Sequence, residues 1–158
     1  CALLDHDDEI PSHALLLLAE RVARHPDAEL VYSDEDKIDE TGQRFDPHFK
    51  PDWNPDLLAS QNYLSHLTIV RTATLRRVGG FREGFEGAQD WDLFLRVADA
   101  VPAATIHHVP PVLYHWRAIT GSTATQLHEK DYVVRAARRA LEEHLARRGE
   151  AAEPRLAR

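Results

Sequence analysis

Apolar positions along this chain follow two rhythms. Ala14, Leu15, Leu18, Ala19 and Val22 recur at three- and four-residue spacing, which predicts a helix opening at Pro11 and running to about His25. Pro26-Asp27 stops it. Residues 72–78 and 89–98 read as two further helices, the first closed by Gly79-Gly80. Residues 129–147 read as an amphipathic helix with Val133, Ala137, Ala140, Leu141 and Leu145 on one stripe. Shorter apolar or alternating runs predict strands at residues 1–4, 29–33, 66–70, 104–109 and 112–117. Pro110-Pro111 separates the last two. Residues 45–56 carry three prolines and three aromatics, a content unsuited to a helix or a central strand, although Asn54-Pro55 can cap and start a short helix.

Strand, helix, strand, a mixed region, then helix and strands predict an α/β protein: a mixed sheet flanked by helices. Acidic loops follow two strands, at residues 5–9 and 34–36. In open α/β sheets ligand sites gather outside the carboxyl ends of strands, so these loops are candidate sites. The formal charge of −7 argues against a nucleic-acid surface and leaves no basic patch to hold phosphates by charge alone. No apolar run reaches membrane-span length; Leu15 to Leu18 is followed by Glu20 and Arg21. The single cysteine excludes an internal disulfide framework.

Asp5-x-Asp7 lies just beyond the first strand. At i and i+2 on an extended or turning backbone two carboxylates point the same way and can share one divalent ion, and hard oxygen ligands favour magnesium, manganese or calcium over zinc. A solvated acidic turn is the competing reading. Residues 34–36 either face an acceptor, with Asp34 foremost, or merely solvate a loop. Trp53 either stacks on a sugar face or packs. His107 and His108 are strand neighbours facing opposite sides, so they do not jointly chelate one ion. Asp90 and Asp92 sit at i and i+2 on a helix and cannot both address one cleft; Asp92 can pair with Arg96 on the helix surface, which leaves Asp90 available.

LLDHDDEI, VYSDEDKID, HFKPDWNPDLL, QNYLSHL, VGGFREGFEGAQDWDLFLRV and VLYHWR follow one another in this order. The succession resembles the family 2 glycosyltransferases of GT-A fold, especially bacterial O-antigen rhamnosyl- and galactosyltransferases, and it covers residues 1 to roughly 125. The resemblance implies a Rossmann-related sheet. It implies that Asp7 binds a divalent metal, Mn2+ or Mg2+, and that Asp5 faces the nucleotide sugar. Asp90 matches the catalytic base. Gln89 stands where the family usually has glutamate, and is carried over as an acceptor contact. His115 matches a histidine that completes the metal site in some relatives, and Arg117 and Ser122 lie where donor phosphates are expected.

The expectation is therefore the metal- and acceptor-binding part of an inverting glycosyltransferase domain, residues 1–148, with a frayed tail at 149–158. Its partners would be a nucleotide-sugar donor and a glycan or lipid-linked acceptor. The resemblance implies a cytoplasmic location, at the inner face of the membrane through peripheral association of a longer protein. The family's nucleotide-binding strands precede the D-x-D strand, so partner strands are expected upstream of Cys1. The alternative is a non-catalytic carbohydrate-binding or scaffolding remnant of the same fold, which need not retain both Asp7 and Asp90.

Overall fold

A computed structural model describes residues 1–118 and 131–155. Its elements are β1 (Ala2–Leu3), α1 (Ala14–Arg24), β2 (Leu30–Ile38), β3 (Arg44–His48), α2 (Pro55–Leu58), β4 (Thr68–Val70), α3 (Thr72–Arg77), α4 (Gln89–Ala100), a 3-10 turn (Ala103–Thr105), β5 (Ile106–Arg117) and α5 (Asp131–Arg148). The sheet is mixed. β2 pairs in parallel with β5, while its other edge is shared end to end by two antiparallel strands. β4 pairs with Leu30–Tyr32, β3 with residues from Glu35 onward, and β1 extends the sheet beyond β4.

Alternation along β2 builds two cores. Leu30 and Tyr32 face a cluster with Leu64, Phe85, Leu93, Phe94, Leu95 and Ala140, so α4 and α5 cover that side. Val31 faces the other way, towards Ala14, Leu18, Val109 and Leu113, so α1 covers the opposite side. Leu93, Phe94, Leu95 and Val97 are all fully buried, each stabilising the fold by about 1.5–3 kcal/mol relative to exposure. Asn54 caps α2 as expected, its side-chain oxygen accepting from the Leu57 N–H at 2.9 Å. Among the described residues no helix is long and apolar enough to cross a membrane.

Three expectations are corrected. Residues 34–36 are not a loop: β2 runs through them to Ile38, and Asp34, Glu35 and Asp36 are buried. The period of the apolar residues ends at Ser33, but the ladders to β3 and β5 continue. The two strands expected around Pro110-Pro111 are one strand, β5. Its register moves from Ser33 opposite Val109 to Asp34 opposite Val112, so both prolines fall in a bulge where their missing N–H groups break no ladder bond. Lastly, Asp92 and Arg96 do pair, but inside the protein, with Asp92 only 1% exposed.

The Arg96 guanidinium donates to Asp92 Oδ2 at 2.6 and 3.0 Å and to the Val78 and Gly80 carbonyls at 2.6 and 2.7 Å. Arg82 grips the same carboxylate, with Nε at 3.1 Å from Oδ2, and reaches Glu143 of α5 at 2.7 Å. One carboxylate thus ties α4 to the glycine-rich segment and, through Arg82, to α5. Burial pushes the Asp92 carboxyl up, but its hydrogen bonds from Arg82 and Arg96 outweigh this and hold it below the ordinary aspartate range. Asp92→Asn is expected to destabilise the protein by ~3 kcal/mol, because it leaves a buried guanidinium without its counter-charge. Urea denaturation checks this; a loss within a few tenths of a kcal/mol would return the pair to the status of a surface contact.

Candidate functional site

A cavity of about 480 Å³ opens where the end of β1, the start of α4 and the start of α5 converge. Leu4 and Asp5 enter from β1, Gln89 and Asp90 from the first turn of α4, Ser65 and His66 from the segment before β4, and Trp116 from β5. Phe81, Tyr132 and Val133 add apolar wall. The structure therefore brings Asp5, Gln89 and Asp90 together from distant parts of the chain.

Asp90 is held at both oxygens. Oδ2 accepts from Asn62 Nδ2 at 2.7 Å, and Oδ1 accepts from the Trp91 N–H at 2.9 Å. Asn62 Oδ1 is buried and has no hydrogen-bond partner among the described residues. Gln89 turns back on its own loop, its side-chain oxygen accepting from the Gly87 N–H at 2.6 Å. Gly87 has φ +83, and a Cβ there would lie 2.5 Å from Val133 Cγ2, so only glycine admits α5 this close to the cavity.

The acidic turn after β1 is fastened to β5. Arg117 N donates to Asp8 Oδ1 at 2.8 Å, Arg117 Nε donates to the Asp7 carbonyl at 2.7 Å, and the Arg117 guanidinium pairs with Glu9. The Tyr114 hydroxyl donates to Asp8 Oδ2. Burial, then the Asp8 contact, raises the Tyr114 hydroxyl well above its usual range, so it stays a donor. The Asp7 carboxylate points outward, with its side chain 41% exposed and His6 Nδ1 3.6 Å away. Its oxygens can accept a hard cation that takes further ligands from phosphate or water. Asp7 does not line the cavity but lies two residues from Asp5, which does.

Other expected residues are placed elsewhere. His115 is 8% exposed and its Nδ1 pairs with Asp36 of the neighbouring strand β2. Among the described residues no trio of ligand atoms that includes Asp7 closes to within 4.8 Å. Asp34, expected at an acceptor, is 3% exposed, and its Oδ1 meets Lys50 N at 3.0 Å and His108 Nε2 at 2.7 Å. Trp53 packs against the core under α4 and does not reach the cavity. Ser122 lies outside the described residues.

Two cavity-lining or supporting groups carried no role in the sequence reading: His66 and Lys50. His66 stacks on Tyr114 with ring centroids 4.5 Å apart, and its Nε2 lies 3.8 Å from Asp5 Oδ2. Its backbone is fixed from below: the His66 N–H donates to Glu35 Oε2 at 3.0 Å, and Lys50 Nζ donates to the His66 carbonyl and, at 2.7 Å, to that of Leu64. Lys50 Nζ also lies 3.4 Å from Glu35. Burial pushes the Lys50 ammonium down to about 8, against the pull of Glu35 and Asp34. Burial pushes the Glu35 carboxyl up, but the His48 hydrogen bond, Lys50 and His66 outweigh it and hold it below its ordinary value. The one available signal was polar: a lysine between Phe49 and Pro51, and a histidine ahead of the apolar run from Leu67.

Comparison with known proteins finds relatives but no matching family model. The chain is 56% identical over 146 residues to the uncharacterized protein y4gI of Sinorhizobium fredii, covering 92% of this chain and 16% of that protein. It is 45% identical over 150 residues to the O-antigen biosynthesis protein RfbC of Myxococcus xanthus, covering 95% of this chain and 12% of that protein. The chain thus spans less than a fifth of the length of either relative.

Lys50→Met is expected to cost ~3–5 kcal/mol, since it removes the buried ammonium from Glu35 and leaves that carboxylate on its His48 and His66 N–H contacts alone. Adding Glu35→Gln should recover part of that loss. In the parent protein the folded Glu35 value is depressed, so its contribution is complete above the ordinary glutamate value of 4.5 and is lost as pH falls through the folded value. In Lys50→Met the acid loss should begin at higher pH. Denaturation midpoints measured from neutral pH downward check both statements; identical pH profiles for parent and variant would break the coupling.

Proposed function

We propose that this chain is the part of a sugar-transferring enzyme that binds the acceptor and the phosphates of a nucleotide-sugar donor, in surface-polysaccharide biosynthesis. One observation carries the reading: Asp5, from the D-x-D turn, and Asp90, from the QDWD helix start, share one cavity although they lie far apart in the chain. The name of the Myxococcus xanthus relative, an O-antigen biosynthesis protein, supports the pathway. The donor, the acceptor and the activity belong to the longer protein.

In this proposal an acceptor hydroxyl enters the cavity and donates its proton to Asp90. Asn62 and the Trp91 N–H fix the two carboxylate oxygens, so little reorganisation is needed as the proton arrives. The oxygen freed of its proton attacks the anomeric carbon opposite the leaving diphosphate, which inverts that centre. Trp116, Phe81 and Tyr132 supply apolar faces suited to a sugar ring. Asp7 would hold a divalent cation, which when bound supplies positive charge to the departing phosphates. Arg117, fastened beside Asp7 and paired with Glu9, places a guanidinium on that side.

The decisive comparison sets Asp90→Asn against Asp92→Asn in the intact protein, assayed with a panel of nucleotide sugars. Asp90→Asn should lower turnover ~100- to 10,000-fold with donor affinity little changed. Asp92→Asn should lose stability, while the correctly folded fraction keeps its turnover. An active Asp90→Asn enzyme would remove Asp90 as the base.

Asp7→Asn should separately abolish the manganese dependence of donor binding measured by calorimetry. Metal-dependent binding that survives this change would remove Asp7 as the ligand.

A further inference from the structure

At the opposite end of the parallel strands from the cavity, three side chains meet that neither the sugar-transfer reading nor the core requires. His25 follows the last turn of α1, Asp27 lies in the turn behind it, and His107 stands near the start of β5. One ligand atom from each lies within 4.8 Å of the other two, a grouping that no other His, Cys, Asp or Glu residues make among those described. The two imidazoles stack with centroids 4.2 Å apart and planes 30° apart. His107 Nε2 is buried and has no hydrogen-bond partner among the described residues, an unusual state for a buried ring nitrogen. A bound ion would satisfy it.

The surroundings favour a cation. The carbonyl end of α1 points at His25, where the helix dipole carries about half a negative charge. The turn bearing Asp27 is clamped on both sides, because Arg71 donates to the Pro26 carbonyl at 2.5 Å and to the Ala28 carbonyl at 2.8 and 3.0 Å. Arg24 is paired with Glu20 at 3.2 Å, so its charge is largely compensated. Arg21 is the opposing charge. Tetrahedral coordination with bonds of about 2.0–2.1 Å needs ligand atoms about 3.4 Å apart and an ion near the plane of each ring, so closure requires the stacked imidazoles to turn from their stack and the exposed Asp27 to move in.

We propose that His25, Asp27 and His107 form a second metal site, for a divalent late transition ion of the zinc class, with its remaining position open to water. Two imidazoles and one carboxylate select this class over magnesium or calcium, which require more oxygen ligands. The site is independent of Asp7 and needs no sugar donor.

The test uses the intact protein stripped of metal by a chelator and titrated with zinc by calorimetry, then with cobalt while its visible absorption is followed. One saturable zinc site is expected, with a cobalt band typical of four-coordination. His107→Gln and His25→Ala should each remove it, whereas His13→Ala, on the exposed start of α1, should not. Asp7→Asn should leave zinc binding intact, which separates this site from the proposed donor metal. The proposal is overturned if no saturable zinc binding occurs at micromolar zinc, or if binding persists undiminished in both His107→Gln and His25→Ala. Because the two variants lie on different elements, and His25 is at a helix end, misfolding of one leaves the other decisive.

Discussion

The fold depends on how three adjacent acids, Asp34, Glu35 and Asp36, are neutralised inside the central strand. Burying one carboxylate without a partner costs several kcal/mol, and β2 buries three in a row. Each one draws in a cation or donor from elsewhere. Asp34 takes Lys50 N and His108; Glu35 takes Lys50 Nζ, His48 and the His66 N–H; Asp36 takes Arg44 at 2.6 Å and His115. Those partners come from β3, the proline-rich segment, the approach to β4, and β5. The electrostatics of one strand therefore fix where four other segments lie, and with them the floor beneath His66.

That constraint also explains what could be read in advance. The helices were legible because a 3.6-residue apolar rhythm survives whatever packs against it. Asn54-Pro55 and Gly79-Gly80 mark local geometry and also held. β2 was read too short because an acidic run looks solvated until its partners are known. His108 and His115 lie more than seventy residues away in sequence, and no local pattern announces the pairing. The Asp92–Arg96 spacing was read correctly, but its burial was not, since Arg82 and α5 cover it from outside the helix.

The candidate site divides in the same way. Asp5 and Asp90 were singled out from motif and spacing, and the tertiary structure places them in one cavity. The resemblance put His115 forward for the metal site and the acidic run put Asp34 forward for an acceptor; in the structure Asp34 pairs with His108 and His115 with Asp36, across the β2–β5 seam. Asn62, His66 and Lys50 lacked any motif that isolates a positioning role, because such roles depend on a neighbour's orientation rather than on spacing. A residue that holds another in place is visible only once the neighbour is.

Gly87 and Val133 meet where the loop before α4 touches the start of α5, both on the rim of the cavity. With no side chain at one position and a branched one at the other, the two behave as a single fitted unit. In a lineage that drifts, position 87 cannot gain bulk alone: bulk added there must be matched by bulk removed at 133. Even then the left-handed backbone at 87 disfavours anything but glycine. The practical freedom therefore belongs to position 133, where a smaller residue would widen the entrance and a larger one would narrow it. The width of the entrance would change there while every polar group around Asp90 stayed unchanged.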